Sequence, residues 1–544
     1  MSLLLRTAAI RAIEQREFAA AVDLMDRAGR AGADTARRML RTSTQYPARV
    51  LILAGPGNNG GDALEIAVHL KMAGCSVEVC LAARPDQLPP DAARAHAKWR
   101  AVGGQCSASL PSQEQIALVD LVVDGLFGIG LTRTIGAPYA QWIATVNASQ
   151  AAVLALDVPS GLDADSGVIH GSCLRAQRTI TFIADKPGLH TLHGPDHAGM
   201  VEVATLGLRV SSANLPALAQ PNCPTHGHLI GQRHFAALLK PRPRDSHKGS
   251  FGTLAIIGGA AGMSGAALLA GRAALRLGAG KVWVGLLDEH APTVDLQQPE
   301  LMLRNAADID VAQCSALVIG PGLGTGAAAH RALAASIGCD APLLLDADAL
   351  NLIGSDAGLA RAVAQRRGAT LLTPHPQEAA RLLGTDTAAI QADRIGSACA
   401  LAQRYQASVV LKGAGSVIAA QSTEPLAHTG SAAPPHADAA WWINPSGNPG
   451  MASAGMGDVL SGLAGGLLAQ FPSRRDAETV GASHSWHSDA LQCLVGAVFL
   501  HGAAADLLVE RGCGPIGLTA GEVIDAAREL WNQWTTGGTA GAPH

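Results

Sequence analysis

Two glycine-rich runs, each closing on a carboxylate, stand in separate halves of the chain: Gly55-Pro56-Gly57-Asn58-Asn59-Gly60-Gly61-Asp62 and Gly455-Met456-Gly457-Asp458. Small residues let backbone N–H groups approach an anion closely, and a neighbouring Asp can move a proton. Each run therefore has the parts of a phosphate cradle beside an acid/base group, and their duplication implies two linked sites for nucleotide-like ligands. In the first half, the segments Asp124-Gly125-Leu126-Phe127-Gly128-Ile129-Gly130-Leu131 and Leu156-Asp157-Val158-Pro159-Ser160-Gly161-Leu162 bring further oxygen donors. Three such loops can enclose one pocket. A glycine-rich turn taken alone is equally a tight strand-to-helix connection, and Asp458 taken alone is equally a helix N-cap.

Chemistry at these positions needs strands to deliver them. Apolar runs at 50–54, 118–123, 152–156 and 179–183 alternate with Ala-rich helical stretches, the pattern of βαβ units around a parallel sheet. The Gly55 loop, Asp124, Asp157 and Ser160 all follow carboxyl ends of these runs, where open α/β sheets bind their ligands. A second series at 253–257, 282–285, 316–319, 343–345, 370–372 and 409–411 repeats the arrangement, again with glycine or carboxylate loops behind the strands. Helical spacing over residues 10–40 predicts an N-terminal helical cover, with Gly29 marking a helix end. The Ser-, Asn- and Pro-rich stretch 213–228 reads as the linker between domains, 421–442 as a mobile loop and 537–544 as a disordered tail. The apolar stretches 459–468 and 494–500 are too short to span a membrane and are expected to be buried helices.

A chain of 544 residues exceeds what one hydrophobic core usually organises, so two α/β domains are expected. The net charge of -4 comes without a basic stripe, and aromatic residues make up 3% of the chain, which argues against nucleic acid as a partner. Ten scattered cysteines include no C-x-x-C pair, so neither a disulfide framework nor a zinc site is expected. The run Leu3-Leu4-Leu5 before Arg6 is too short for a signal peptide, which points to the cytoplasm and to no membrane partner. His484, His487 and Asp489 form an H-x-x-H segment that reads as a solvent-facing loop rather than a metal site.

The loops of residues 1–212 resemble the NAD(P)H-hydrate epimerase family, through Asn58-Asn59-Gly60-Gly61-Asp62, the Asp124 to Leu131 loop and Asp157-Val158-Pro159-Ser160-Gly161. The resemblance implies a Rossmann-like domain in which Asn58, Asn59, Gly60, Gly61 and Asp62 line the hydrate pocket. Gly128, Ile129, Gly130, Leu131, Thr132, Arg133, Thr134 and Asp157 join them. It also implies a potassium ion held by Asn59, Asp124 and Ser160, hard oxygen donors that suit it. Asp157 is the acid/base group expected to assist inversion at the hydroxylated ring carbon. Lys186 either assists it or makes a phosphate or surface contact. Ala63 departs from the family, which has Gly there.

Residues 229–536 resemble the ADP/ATP-dependent NAD(P)H-hydrate dehydratases, which are ribokinase-like. The segments that carry this are Gly455-Met456-Gly457-Asp458, His247-Lys248-Gly249-Ser250-Phe251-Gly252, Gly320-Pro321-Gly322-Leu323-Gly324, Asp346-Ala347-Asp348, Thr373-Pro374-His375-Pro376-Gln377-Glu378 and Lys412-Gly413-Ala414-Gly415-Ser416. The resemblance implies Asp458 as catalytic base. It implies hydrate contacts from Ala266, Gly322, His375 and Asp458, and ADP contacts from Lys412, Gly413, Ala414, Gly415, Ser416 and Gly457. ADP is the expected co-substrate, ATP the alternative, with magnesium carried largely by phosphate oxygens. Ala454 again replaces a family glycine. The two halves together imply α/β domains of three layers with mostly parallel sheets, and a bifunctional metabolite-repair enzyme. It would act on small-molecule NADH and NADPH hydrates with an adenine nucleotide, as a homo-oligomer. Two rivals are a ribokinase-like small-molecule kinase and a non-catalytic nucleotide sensor.

Overall fold

The computed structural model describes residues 3–20, 22–41, 47–211, 215, 223–420, 440–470 and 486–537. The chain divides into two compact units, Met1–Gln220 with Thr225–His228, and Pro221–Pro224 with Leu229–His544.

In the first unit, β1 (Leu3–Leu5) leads into helices Thr7–Ala19 and Leu24–Leu40. The following strands are β2 (Arg49–Ala54), β3 (Ser76–Leu81), β4 (Cys106–Ser107), β5 (Leu121–Gly125), β6 (Val153–Leu156), β7 (Arg178–Phe182) and β8 (Met200–Ala204). They form a parallel sheet in the order β4-β3-β2-β5-β6-β7-β8. Both faces are buried, and strand alternation shows it: Val50, Ile52 and Ala54 join one apolar cluster, while Leu51 and Leu53 join the other. The chain order reverses between β2 and β5, which opens a crevice at the carboxyl ends of those two strands.

Gly29 does not end a helix. It lies within Leu24–Leu40, where a Cβ would sit 2.4 Å from Glu65 Cβ, and Gly32 likewise faces Ile66 Cδ1 at 2.3 Å. The two glycines let this helix approach helix Asn58–Met72 closely, so they are packing residues rather than a C-cap. The segment read as linker at 213–228 ends in β9 (His226–Leu229), which pairs antiparallel with β1.

In the second unit, β10 (Thr253–Gly258), β11 (Lys281–Leu286), β12 (Met302–Asn305), β13 (Ala316–Ile319), β14 (Leu343–Leu345), β15 (Thr370–Leu372) and β16 (Ser408–Leu411) run parallel, in the order β12-β11-β10-β13-β14-β15-β16. Two antiparallel strands, β17 (Val417–Ala420) and β18 (Ala440–Ile443), extend the sheet beyond β16. The mobile loop expected at 421–442 therefore gives way to a strand at Ala440, because Trp441 and Trp442 are buried. Residues 421–439 of that stretch lie outside the described residues, as do 538–544 of the expected tail.

The apolar stretches at 459–468 and 494–500 lie in helices Met456–Gln470 and Trp486–Glu510. The second is long and apolar enough over Asp489–Glu510 to cross a membrane, yet 67% of its most apolar stretch is buried inside the protein. Asp489 sits in its first turn rather than in a loop; His484 lies outside the described residues.

Candidate active sites

A cavity of about 560 Å³ occupies the crevice of the first unit. Asn58, Asn59 and Asp62 reach it from the start of helix Asn58–Met72, Gly128 to Arg133 from the loop after β5, and Asp157 from the end of β6. Three expected residues do not line it. Gly60 packs on the backbone of Gly55, Gly61 packs against Met25 and Ala92, and Thr134 is exposed beside Gly171. A Cβ at position 60 would lie 2.0 Å from the Gly55 carbonyl oxygen, and backbone cannot yield there. Gly60→Ala is therefore expected to destabilise this unit by about 1–3 kcal/mol, the usual range for overpacking, read as a lower midpoint in urea unfolding. The family departure at Ala63 is accommodated, since that methyl packs where Gly125 has no side chain.

Asp157 holds its backbone in the left-handed region, at φ 68, with its N–H bonded to Ile180 O at 2.8 Å. Such a conformation is uncommon for a residue with a Cβ and marks a position fixed by its surroundings. One carboxylate oxygen pairs with Lys186 Nζ at 2.7 Å, and the other accepts the Ile129 N–H at 3.2 Å. Lys186 is 1% exposed and donates also to Thr181 Oγ1 at 2.6 Å and Phe182 O at 3.0 Å. Its alternative reading as a surface contact is thereby corrected: the ammonium is buried and committed to Asp157.

Behind the cavity, the fully buried Asp124 accepts from Ser160 Oγ at 2.6 Å, Ser160 N at 2.8 Å and Leu126 N at 3.2 Å. Burial outweighs these bonds and pushes its carboxyl up to about 6. Asn59 donates its amide to Leu156 O, while its buried Oδ1 has no partner among the described residues. Residues Ile10, Arg11 and Glu14 also line the cavity, from helix Thr7–Ala19. They escaped sequence reading; their spacing on one helical face beside an otherwise apolar run was the available signal.

The second site forms where the loops after β13, β14, β15 and β16 meet the start of helix Met456–Gln470. Asp346, buried at the end of β14, pairs with Lys412 Nζ at 2.9 Å and accepts from Ser461 Oγ at 2.7 Å. Burial alone would raise this carboxyl, but Lys412 and the hydroxyl donors hold it below the ordinary range. A Cβ on Gly457 would lie 3.4 Å from Lys412 Nζ, so the ammonium stands beside the helix N-terminus. Helix amides and a fixed cation together make an anion site.

Asp458 is the third residue of that helix, inside its first turn and not at an N-cap. Its carboxyl is pushed up to about 6, first by burial and then by the charge of Asp346, against the pull of Lys412. His375 caps helix Pro376–Leu383, its Nδ1 accepting from Gln377 N at 3.1 Å and Glu378 N at 3.3 Å. Burial, Lys412 and Arg381 depress it, favouring the neutral ring. Gly322, at φ 58, adjoins Ala266, whose Cβ lies 3.2 Å from the position a Gly322 Cβ would take. In the turn after β16, Gly413 N donates to Ser416 Oγ at 3.2 Å, and Gly413 and Gly415 have positive φ. Ala454 is exposed, so its extra methyl meets solvent. Asp346 was visible in the sequence as part of a motif; its role as the partner of Lys412 emerges only from the fold.

Residues 254–526 match the NAD(P)H-hydrate dehydratase family, and residues 21–188 match the YjeF-related protein N-terminus. The bifunctional NAD(P)H-hydrate repair enzyme of Coxiella burnetii is 37% identical over 545 residues, covering 98% of this chain and 100% of that protein. The chain belongs to the bifunctional NAD(P)H-hydrate repair enzyme family. The Escherichia coli repair enzyme is 37% identical over 518 residues, covering 94% of this chain and 90% of its own. Among solved structures, an ADP/ATP-dependent NAD(P)H-hydrate dehydratase from Bacillus subtilis, co-crystallised with ATP and Mg2+, is 30% identical. It covers 58% of this chain and 100% of its own, with a TM-score of 0.45. Membership in the repair-enzyme family assigns an epimerase to the first unit and a dehydratase to the second, each on the α/β scaffold expected from sequence.

Proposed function

We propose that the first unit interconverts the R and S hydrates of NADH and NADPH at the Asp157 cavity, and that the second dehydrates the S hydrate at Asp458 while ADP becomes AMP and phosphate. The observation that carries the second half is one carboxylate, Asp458, poised near neutrality beside the Lys412 and Gly457 anion site. In this reading Asp458 takes the proton of the hydrate hydroxyl as its oxygen accepts the phosphoryl group. Hydroxide leaves the ring poorly; phosphate leaves readily as the ring nitrogen pushes in electrons and the adjacent carbon loses a proton. Lys412, Gly413 to Ser416 and Gly457 hold the nucleotide, and Ala266, Gly322 and His375 flank the hydrate. Asn58, Asn59, Asp62, Gly128 to Arg133 and Asp157 serve the epimerase pocket, with Gly60 and Gly61 packing behind it.

Two ions belong to this reading. Potassium fits Asn59, Asp124 and Ser160, because the unpartnered Asn59 Oδ1 is a buried hard donor that a large cation would satisfy. Bound there, it would fix the loops that carry Asp157. Magnesium suits the second site as an ion held mainly by phosphate oxygens, whose charge it would offset, since Asp346 is already engaged by Lys412 and Ser461, and Asp348 by Gly324 N. A cytoplasmic homo-oligomer is part of the same proposal.

The test is recovery of dihydronicotinamide absorbance from a mixed-epimer NADH hydrate with magnesium and ADP. A fast phase consumes the S form, and a slow phase follows the conversion of R into S. A trace that stops when the S form is exhausted refutes the epimerase half. Because Asp458 must be ionised to accept a proton, kcat/KM of the fast phase is expected to be full above about pH 6 and to fall tenfold per pH unit below it. A pH profile of initial rates on purified S hydrate checks this.

A further inference from the structure

We propose that Glu14 is a second proton-carrying residue of the epimerase site, working together with Asp157 across the cavity that both line; this rests on the epimerase reading above. Both residues line the same cavity, one on helix Thr7–Ala19 and the other at the end of β6. The helix is not free to wander. Its first turn is fixed by Asp165 Oδ1, which accepts from Thr7 N at 2.7 Å and Thr7 Oγ1 at 2.9 Å, and Ile10 and Ile13 are buried beneath it. Leu5 N donates to Asp185 O at 2.9 Å, tying the entry to this helix to the residue before Lys186. The wall carrying Glu14 and the ion pair of Asp157 are thus held in one frame.

Inversion at a carbon bonded to both a hydroxyl and the ring nitrogen requires an acid on one face and a base on the other. The C–O bond breaks as Glu14 gives its proton to the departing hydroxyl, and the nitrogen lone pair forms the C=N bond. Water then adds from the opposite face, losing its proton to Asp157 as the C=N pair returns to nitrogen. The net change is one proton moved from Glu14 to Asp157, restored through solvent, and the reverse reaction exchanges the roles. Glu14 opens onto the cavity, but surrounding protein and the nearby Asp157 charge push its carboxyl up to about 7, against the pull of Lys186 and Arg11. Asp62, which lines the same cavity, is raised as well by burial and by the charges of Asp157 and Glu14. A carboxyl raised toward neutrality and a second carboxyl ion-paired with Lys186, both lining one cavity, are the division of labour that two-group catalysis needs.

The experiment uses the full chain, mixed-epimer NADH hydrate, magnesium and ADP, with wild type, D157N, E14Q and E14D in parallel. The expected result is that E14Q slows the slow phase on the order of 100-fold, leaves the fast phase unchanged, and removes the fall in slow-phase rate that wild type shows above pH 7. E14D, which keeps a carboxyl, recovers at least a tenth of the rate. Wild-type slow-phase kinetics and pH profile in E14Q, or equal loss in E14Q and E14D, would overturn the inference. Absence of the slow phase in wild type would instead sink the epimerase reading itself.

Discussion

Asp458→Asn is expected to lower nucleotide-dependent dehydration of S hydrate by on the order of 10³-fold, with no change in the thermal unfolding of either unit. The carboxyl makes no hydrogen bond to any described residue, so the amide replaces it without stranding a donor. What disappears is the group that accepts the hydroxyl proton. Because Lys412 and the helix N-terminus remain, ADP affinity is expected to stay within a few fold, and kcat takes the loss. Steady-state kinetics on purified S hydrate, with ADP binding measured by calorimetry, separate the two. A variant that keeps more than a tenth of wild-type kcat would remove Asp458 from the role of base.

Lys186→Met carries the largest expected cost in stability. Lys186 is 1% exposed and its ammonium serves Asp157, Thr181 Oγ1 and the Phe182 carbonyl at once. Removing one partner of a buried ion pair leaves the other charge desolvated, at about 3–5 kcal/mol. The first unit should therefore unfold at a lower urea concentration, while the dehydratase phase survives and R-to-S conversion is lost. Equal unfolding midpoints for wild type and variant would mean that Asp157 finds solvent or another partner, and that the pair is not structural.

Much of this molecule was legible in its sequence because the parallel strands are buried on both faces and read as short apolar runs. Runs such as 50–54 and 253–257 correspond closely to β2 and β10. Strands with mixed faces escaped. Ser76–Leu81 has only its last half buried, and Met302–Asn305 and Met200–Ala204 keep exposed residues at the sheet margins. Ala440–Ile443 was hidden by its proline-rich approach, although Trp441 and Trp442 are core residues.

The sites divide in the same way. Residues inside contiguous motifs, from Asn58 to Asp62 and from Gly455 to Asp458, could be found because the loop chemistry is local. Glu14 reaches the cavity across more than a hundred residues of sequence from Asp157, through helix docking that no local pattern encodes. Gly29 misled for a related reason. A glycine suits a helix end and also a close helix crossing, and only the position of Glu65 tells the two apart.

The product balance of the second site separates a dehydratase from a kinase. Purified S hydrate of NADH, intact protein, magnesium and ADP would be incubated together, with dihydronicotinamide, AMP and phosphate measured in the same samples. Equal amounts of all three are expected, with no phosphorylated hydrate left at the end. AMP formed together with a stable phosphorylated product, and no recovered dihydronicotinamide, would contradict the dehydratase reading and make the second unit a small-molecule kinase.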